Sequence, residues 1–432
     1  MPPPKPKVAI IFVPGIFASH VTDPEHPFGV MWPVNNPSML RQVFRSSFEQ
    51  RKQMAESARF TVPDSENKRG RNTVLLKAYG AFLDAVQEHK DFAFEPVVFA
   101  AGYNFIQGNR RTADEYILPA ALRALSEPGI TAILFVTHSM GCLPVRALLH
   151  PQAAYRRLAS SCVGVVHASA PNNGSPEVLG RYIRGVLPIE DAAIRYVFGD
   201  NGWKATTTAS AIPATYELLP VFASEDDRKA LVTATGKVPA FGNDPYFLKK
   251  IVEFHFESNR EANREAGRLS RFGDALAAVE DIRTDVDRHA RAAMRFRAWL
   301  GSSMFDRSWA VATRGRDTLR SLTYAFETPA ASDGKLVFAS ADDLDKEGDG
   351  TVPFASQIKH LENRHTRIDE DIEHSESMKN NGVIQAVIAA MNRLYTEYET
   401  AKLYSQLPLG LGSGTPSYDA PGRKRRTEWH DG

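Results

Sequence analysis

The chain has 432 residues, 43% of them hydrophobic and 24% charged, values ordinary for a globular protein and ample for a large core. Lysine and arginine together number 52 against 51 aspartates and glutamates, so net charge gives no reason to expect nucleic acid or an anionic surface as partner. The only two cysteines, Cys142 and Cys162, exclude a disulfide framework and favour a reducing compartment, and no Cys/His pattern has zinc spacing.

The proline-rich start leads into Val8-Ala9-Ile10-Ile11-Phe12-Val13, a β-prone run ended by Pro14-Gly15. It predicts a buried strand and a tight turn. The run is too short for a signal peptide, and a membrane helix needs about 20 apolar residues. The expectation is synthesis in the cytoplasm, with any export by a signal-independent route. Helical segments are predicted over Leu76–His89 and Thr112–Leu125. A second strand, Thr131–Val136, is followed by His138-Ser139-Met140-Gly141 and a helix over Leu143–Leu149. A third, Cys162–Val166, ends in the Pro/Asn/Gly loop 171–176. Strands alternating with helices predict an α/β fold, a mostly parallel sheet covered on both faces.

From about Glu253 to Leu300 the chain is dense in Arg, Glu and Ala, with Leu269, Phe272, Leu276, Val279, Ile282 and Val286 at helical spacing. This predicts one or two long amphipathic helices inserted into the core. They read as a cap or lid, with a plain surface helix or a partner-binding helix as alternatives. Strand signals return at Leu322–Phe326 and Lys335–Phe338, flanking a turn, before the acidic loop Asp342–Asp349 and a last helix over Ser375–Leu403. The Gly/Ser/Pro-rich tail ends in Arg423-Lys424-Arg425-Arg426 and reads as flexible and solvated. The expected organisation is a core in two parts, 1–220 and 316–405, an inserted mainly helical cap or lid at 221–315, and a basic tail at 406–432.

The chemistry-bearing signal is Thr137-His138-Ser139-Met140-Gly141. A strand that stops abruptly, a strained serine and an immediate helix form a nucleophile elbow, which lifts the hydroxyl clear of the sheet. Gly141 supplies the small residue two places on, whereas Thr137 stands where glycine is usual. His138 reads as a packing residue. A serine hydroxyl needs a base to take its proton, and in this fold an acid and then a histidine follow in the chain. Asp349, in Gly348-Asp349-Gly350-Thr351-Val352-Pro353, and His374, just before the last helix, fill that order. Asp342, Asp343 and Asp345 compete with the first, and His360 and His365 with the second. The oxyanion hole is expected from backbone N–H groups: Met140, after the nucleophile, and Ile16, after the first strand, with Phe17 next in line. No cofactor and no metal is expected.

Taken in order, Val13-Pro14-Gly15, Met31-Trp32-Pro33, Gly102-Tyr103-Asn104-Phe105, His138-Ser139-Met140-Gly141, Asn173-Gly174-Ser175, Leu218-Leu219-Pro220, Gly348–Pro353 and His374 resemble the lecithin:cholesterol acyltransferase-like family, which includes bacterial phospholipases. The similarity spans roughly residues 8–220 and 335–395. It implies an α/β-hydrolase fold with a lipid-binding cap and a covalent acyl-Ser139 intermediate. It also implies Asp349 and His374 as acid and base, and Ile16 and Met140 as oxyanion donors. The implied activity is hydrolysis of lipid acyl esters, a phospholipase above all, on a lipid substrate at a membrane or micelle surface. Acyl transfer from phospholipid to an alcohol and an inactive hydrolase fold used for binding are the alternatives. Three departures stand out: Thr137, Tyr103-Asn104-Phe105-Ile106 in place of a Tyr-Asp-Trp-Arg-like stretch, and no cysteine near Trp32. A lipase core with extra helical segments also fits a bacterial effector exported as a toxin, for which a secretion or immunity partner is expected.

Overall fold

The computed structural model describes residues 4–22, 30–32, 61–63, 69–153, 155–184, 212–221, 232–236, 273–327 and 337–406. In chain order the strands are β1 (Lys7–Val13), β2 (Val21–Thr22), β3 (Val30–Trp32), β4 (Glu95–Ala100), β5 (Ile130–His138), β6 (Cys162–Ala168), β7 (Val232–Gly236), β8 (Ser308–Arg314), β9 (Thr318–Glu327), β10 (Val337–Asp345) and β11 (His365–Asp369). The helices used below are α1 (Leu76–Glu88), α2 (Leu118–Ser126), α3 (Cys142–Leu148), α4 (Pro213–Glu217), α5 (Gly273–Leu300) and α6 (Asn381–Gln406).

Six strands form one sheet in the order β11-β8-β6-β5-β1-β4, with every adjoining pair parallel. The uninterrupted apolar runs explain this, because a parallel sheet is covered on both faces and needs apolar residues on each. In β1, Val8, Ile10 and Phe12 pack with Tyr79, Phe82 and Leu83 of α1 and with Met391 and Leu394 of α6. The alternate residues Ala9, Ile11 and Val13 pack on the other face with Leu118 and Ala121 of α2 and Leu143 of α3. Each fully buried aliphatic or aromatic side chain contributes about 1.5–3 kcal/mol. Cys142 and Cys162, which open α3 and β6, are both free and buried.

A smaller sheet pairs β9 antiparallel with β10 and parallel with β7. Here the sequence reading needs correcting, since Asp342 to Asp345 continue β10 rather than form a loop. Ladder pairing with the ten-residue β9 carries β10 that far, and an edge strand tolerates charged residues. The predicted long helix is α5, with Val286, Ala290, Ala293, Phe296 and Leu300 buried in the core shared with α3 and α4. Leu269 and Phe272 lie outside the described residues, as do the side chains of Leu276, Val279 and Ile282 and the whole basic tail. Two buried arginines fasten α5. Arg146 of α3 donates to the carbonyls of Gly301 (2.9 Å) and Ser303 (3.3 Å), and Arg297 of α5 donates to that of Asn172 (2.7 Å). β8 lies within the stretch 221–315 and is a strand of the central sheet. Among the described residues no helix is long and apolar enough to cross a membrane.

Because the six strands are parallel, their C-terminal ends share one edge of the sheet. There β1 runs into Pro14-Gly15 and β5 into Ser139. Asp349 bridges to Arg316 just beyond β8, and His374 follows β11. Ligands of open α/β sheets bind along this edge.

Candidate active site

Ser139 has a left-handed backbone, φ +51°, between the extended His138 and the helical turn that leads into α3. For a residue with a Cβ this conformation costs about 1–2 kcal/mol. Strain of this kind survives only where the surroundings over-determine it. Gly141 shows why they do. A Cβ there would lie 2.5 Å from the carbonyl oxygen of Val13 and 2.6 Å from that of Pro14, so α3 starts in backbone contact with the end of β1. Thr137 faces elsewhere: its hydroxyl is 3.0 Å from Nδ1 of His167 on the adjoining β6, both buried. The departure from glycine is thus absorbed as a cross-strand hydrogen bond.

The structure brings Ser139, His374 and Asp349 together. Nε2 of His374 is 2.8 Å from the Ser139 Oγ, and its Nδ1 is 2.7 Å from Oδ2 of Asp349. The His374 N–H also donates to the Asp349 carbonyl at 2.9 Å, fixing the histidine backbone to the acid loop. Asp349 is wholly buried, and the His374 side chain is 12% exposed, so the pair is shielded while the imidazole still reaches the surface. The other Asp349 oxygen, Oδ1, accepts the N–H groups of Thr351 (3.1 Å) and Val352 (2.7 Å). Gln357 Nε2 lies 3.4 Å from Oδ2. Acceptance on both oxygens is the pattern of a carboxylate. Both flanking glycines are needed. A Cβ on Gly348 would strike the Thr318 hydroxyl at 2.5 Å, and Gly350 has φ +86° and donates its N–H to that same hydroxyl at 2.8 Å.

The competing residues sit elsewhere. Asp345 accepts the Glu347 N–H at 2.9 Å, and Asp342 and Asp343 lie along β10 with side chains outside the described set. His360 occupies a left-handed turn and His365 opens β11, its ring edge-on to Phe354.

The turn after β1 lies directly against the nucleophile position. A Cβ on Gly15 would be 3.0 Å from Ser139 Cβ and 3.4 Å from its Oγ. Two buried tyrosines grip this turn. Tyr79 Oη accepts the Gly15 N–H at 3.2 Å, and Tyr103 donates to the Pro14 carbonyl at 2.9 Å. Half-buried Ile16 follows Gly15, and Phe17 after it has φ +61°. Met140 is the second residue of the turn opened by Ser139, where N–H groups lack acceptors within the helix. Met140 thus adjoins Ser139 in the chain, and Ile16 adjoins the Gly15 turn that lies against it.

Tyr79, Tyr103, Thr318 and Gln357 support this geometry, and nothing local in the sequence marks them for that role. Tyr103 belongs to the Gly102-Tyr103-Asn104-Phe105 motif. Tyr79 carried only the pattern of a core aromatic on α1. Burial keeps His138 well below the usual histidine range and lowers His167 to about 3. Burial also raises Glu217 of α4 to about 7, against the pull of two hydrogen bonds from Asn109. Burial, with Arg297 beside it, lowers Arg146 to about 9.

No protein-family model and no curated protein sequence matches this chain. Among solved structures, a chain of the Tle4–Tli4 complex is similar, with a TM-score of 0.61 at 17% identity, over 90% of this chain and 99% of that one. Lipase 1 from Pelosinus fermentans aligns over 93% of this chain and 99% of that one, with a TM-score of 0.31 and 13% identity. Phospholipase PlaB from Legionella pneumophila aligns over 94% of this chain and 64% of that one, with a TM-score of 0.27 and 10% identity. These last two scores are too low to bear on the fold. The helix-flanked six-stranded parallel sheet, its strand order and the whole-length similarity at the higher score give the chain an α/β-hydrolase fold.

Proposed function

We propose that the protein is a serine esterase that hydrolyses lipid acyl esters, a phospholipase first of all, through an acyl-enzyme on Ser139. The observation that carries this reading is the hydrogen-bonded series Ser139 Oγ, His374 Nε2, His374 Nδ1, Asp349 Oδ2, with distances of 2.8 and 2.7 Å, at a left-handed serine on the C-terminal edge of the sheet.

The chemistry follows from that order. Asp349 accepts the Nδ1–H of His374, which leaves the Nε2 lone pair facing the serine hydroxyl. His374 takes the Oγ proton as Oγ attacks the ester carbonyl carbon, and the N–H groups of Ile16 and Met140 receive the developing oxyanion. The imidazolium then protonates the leaving alcohol oxygen as the acyl C–O bond breaks. Water, deprotonated by His374, attacks the acyl-serine, and the proton returns to Oγ as the fatty acid leaves. The choice of lipid rests on the resemblance of the motif series to the lecithin:cholesterol acyltransferase-like family. Acyl transfer differs only in that an alcohol replaces this water.

One similar solved chain belongs to a Tle4–Tli4 complex. A protein partner of the secretion or immunity kind is therefore part of the proposal. The test of the activity is fluorophosphonate labelling and a panel of lipid esters, run on wild type and Ser139→Ala. The wild type is expected to be labelled and to release fatty acid, and the variant to do neither while keeping its fold. Hydrolysis at the wild-type rate by Ser139→Ala would end this reading.

A further inference from the structure

His138 precedes the nucleophile, is 4% exposed, and takes no part in the series just described. Its hydrogen bonds favour one arrangement of protons. The Gly15 N–H donates to Tyr79 Oη at 3.2 Å. The tyrosine has a single proton of its own, and His138 Nδ1 lies 2.9 Å away to accept it. A neutral imidazole that accepts at Nδ1 carries its proton on Nε2. That nitrogen is 3.2 Å from the carbonyl oxygen of His374 and 3.0 Å from Ser377 Oγ, both of which can accept. Ser377 in turn donates to the same His374 carbonyl at 3.0 Å. The opposite tautomer is disfavoured on two counts. It leaves the Tyr79 proton without its acceptor, and it sets an Nε2 lone pair against the His374 carbonyl. Burial, reinforced by the neighbouring His374, keeps His138 neutral and so keeps this order intact.

The two ends of the series are the two parts of the site that come from opposite ends of the chain. One is the Gly15 turn, which carries the expected oxyanion donor. The other is the backbone of His374. The imidazole ring between them stands 5.1 Å from the His374 ring, centroid to centroid.

We propose that His138 is a positioning residue, the shared anchor through Tyr79 and Ser377 that holds the oxyanion turn and the His374 backbone in register with Ser139. This inference rests on the esterase reading above and deepens it. The tetrahedral intermediate needs the Ile16 N–H and the His374 Nε2 placed correctly at the same moment. A misplacement near 1 Å in such a constellation costs about a hundredfold in rate. The residue touches no substrate and no reacting atom, so its removal is felt in kcat rather than in binding.

The test measures kcat and KM on a short-chain ester, the fluorophosphonate labelling rate of Ser139, and thermal melting. The proteins are wild type, Tyr79→Phe, His138→Leu, His138→Gln and the double variant Tyr79→Phe/His138→Leu. His138→Leu is expected to lower kcat about a hundredfold with KM little changed. Labelling should slow in parallel. His138→Gln, which can place an amide N–H toward the His374 carbonyl, recovers part of the loss. Tyr79→Phe removes one oxygen atom and keeps the ring against Phe12 (centroids 4.6 Å apart), so it folds and lowers kcat by itself. Tyr79 holds the Gly15 N–H and is itself oriented by the imidazole, so the loss in the double variant should be well below the product of the two single losses. If His138→Leu does not fold, the Tyr79→Phe kcat decides. Wild-type kcat in Tyr79→Phe, or losses that multiply in the double variant, overturns the inference and leaves the esterase reading standing. Failure of wild-type Ser139 to label removes the esterase reading, and this inference with it.

Discussion

Replacing Asp349 by asparagine keeps the size of a wholly buried group and changes one oxygen into an NH2. Two orientations are open to the new amide. With its NH2 on the Oδ1 side it would confront the N–H groups of Thr351 and Val352, which now donate at 3.1 and 2.7 Å. That loses two hydrogen bonds at about 1 kcal/mol each and sets donors against a donor. With its oxygen on that side both bonds survive, and the NH2 instead faces His374 Nδ1, where the carboxylate now sits at 2.7 Å. The second orientation wins. His374 must then accept at Nδ1 and carry its proton on Nε2, pointed at the Ser139 Oγ it should be deprotonating. A wrong-tautomer histidine of this kind costs about 10⁴ in kcat. At about 1.36 kcal/mol per tenfold that is about 5 kcal/mol of barrier. The assay is steady-state hydrolysis of a short-chain ester near neutral pH, with the labelling rate of Ser139 as an independent reading. KM and the melting curve should stay close to wild type, since the packing is unchanged. A kcat loss below about thirtyfold would mean that Asp349 does not set the tautomer, and the reasoning would fail.

Other expectations follow from the same geometry. Ser139→Gly removes the left-handed strain along with the hydroxyl, so denaturant unfolding should show a gain of about 1 kcal/mol while ester hydrolysis disappears. A protein that is no more stable would show that the +51° backbone stores nothing. Gly141→Ala forces a methyl against the carbonyls of Val13 and Pro14, so stability should drop by about 1–3 kcal/mol and activity with it; an unchanged melt is the contrary result. Glu217, raised from 4.5 to about 7 by burial, binds its proton more tightly in the folded state, so its stabilisation is complete below about pH 4.5 and is lost as pH rises through 7. The amount is on the order of 3 kcal/mol. His138 and His167, held neutral, act in the opposite sense: their contribution is complete above about pH 6.5 and is lost as pH falls below it, through about 3 for His167. The stability difference between wild type and Glu217→Gln, measured from pH 4.5 to 8, isolates the carboxyl, and a flat difference would refute it.

The sheet was readable because its strands are buried on both faces. Runs such as Val8–Val13 and Cys162–Val166 have no alternative use for so many β-prone apolar residues, and they lie in β1 and β6. The chain order Ser139, Asp349, His374 was readable because each lies beside a local signal: the elbow, the paired glycines, the start of a helix. What hid was whatever depends on a distant partner. Tyr79 looks like any core aromatic of α1 until the fold sets its hydroxyl between Gly15 and His138. Thr137 looks like a flaw until β6 brings His167 beside it. Asp342 to Asp345 read as loop because charge marks solvent, yet an edge strand meets solvent too.

Burial lifts the thiol of Cys142 to about 11 and that of Cys162 to about 12, so near neutral pH both stay protonated. A protonated, buried thiol is neither a nucleophile nor a target for oxidants. With only these two sulfhydryls in 432 residues, the fold has no bond to gain in an oxidising medium and none to lose in a reducing one. Its covalent structure is the same on either side of a cell envelope.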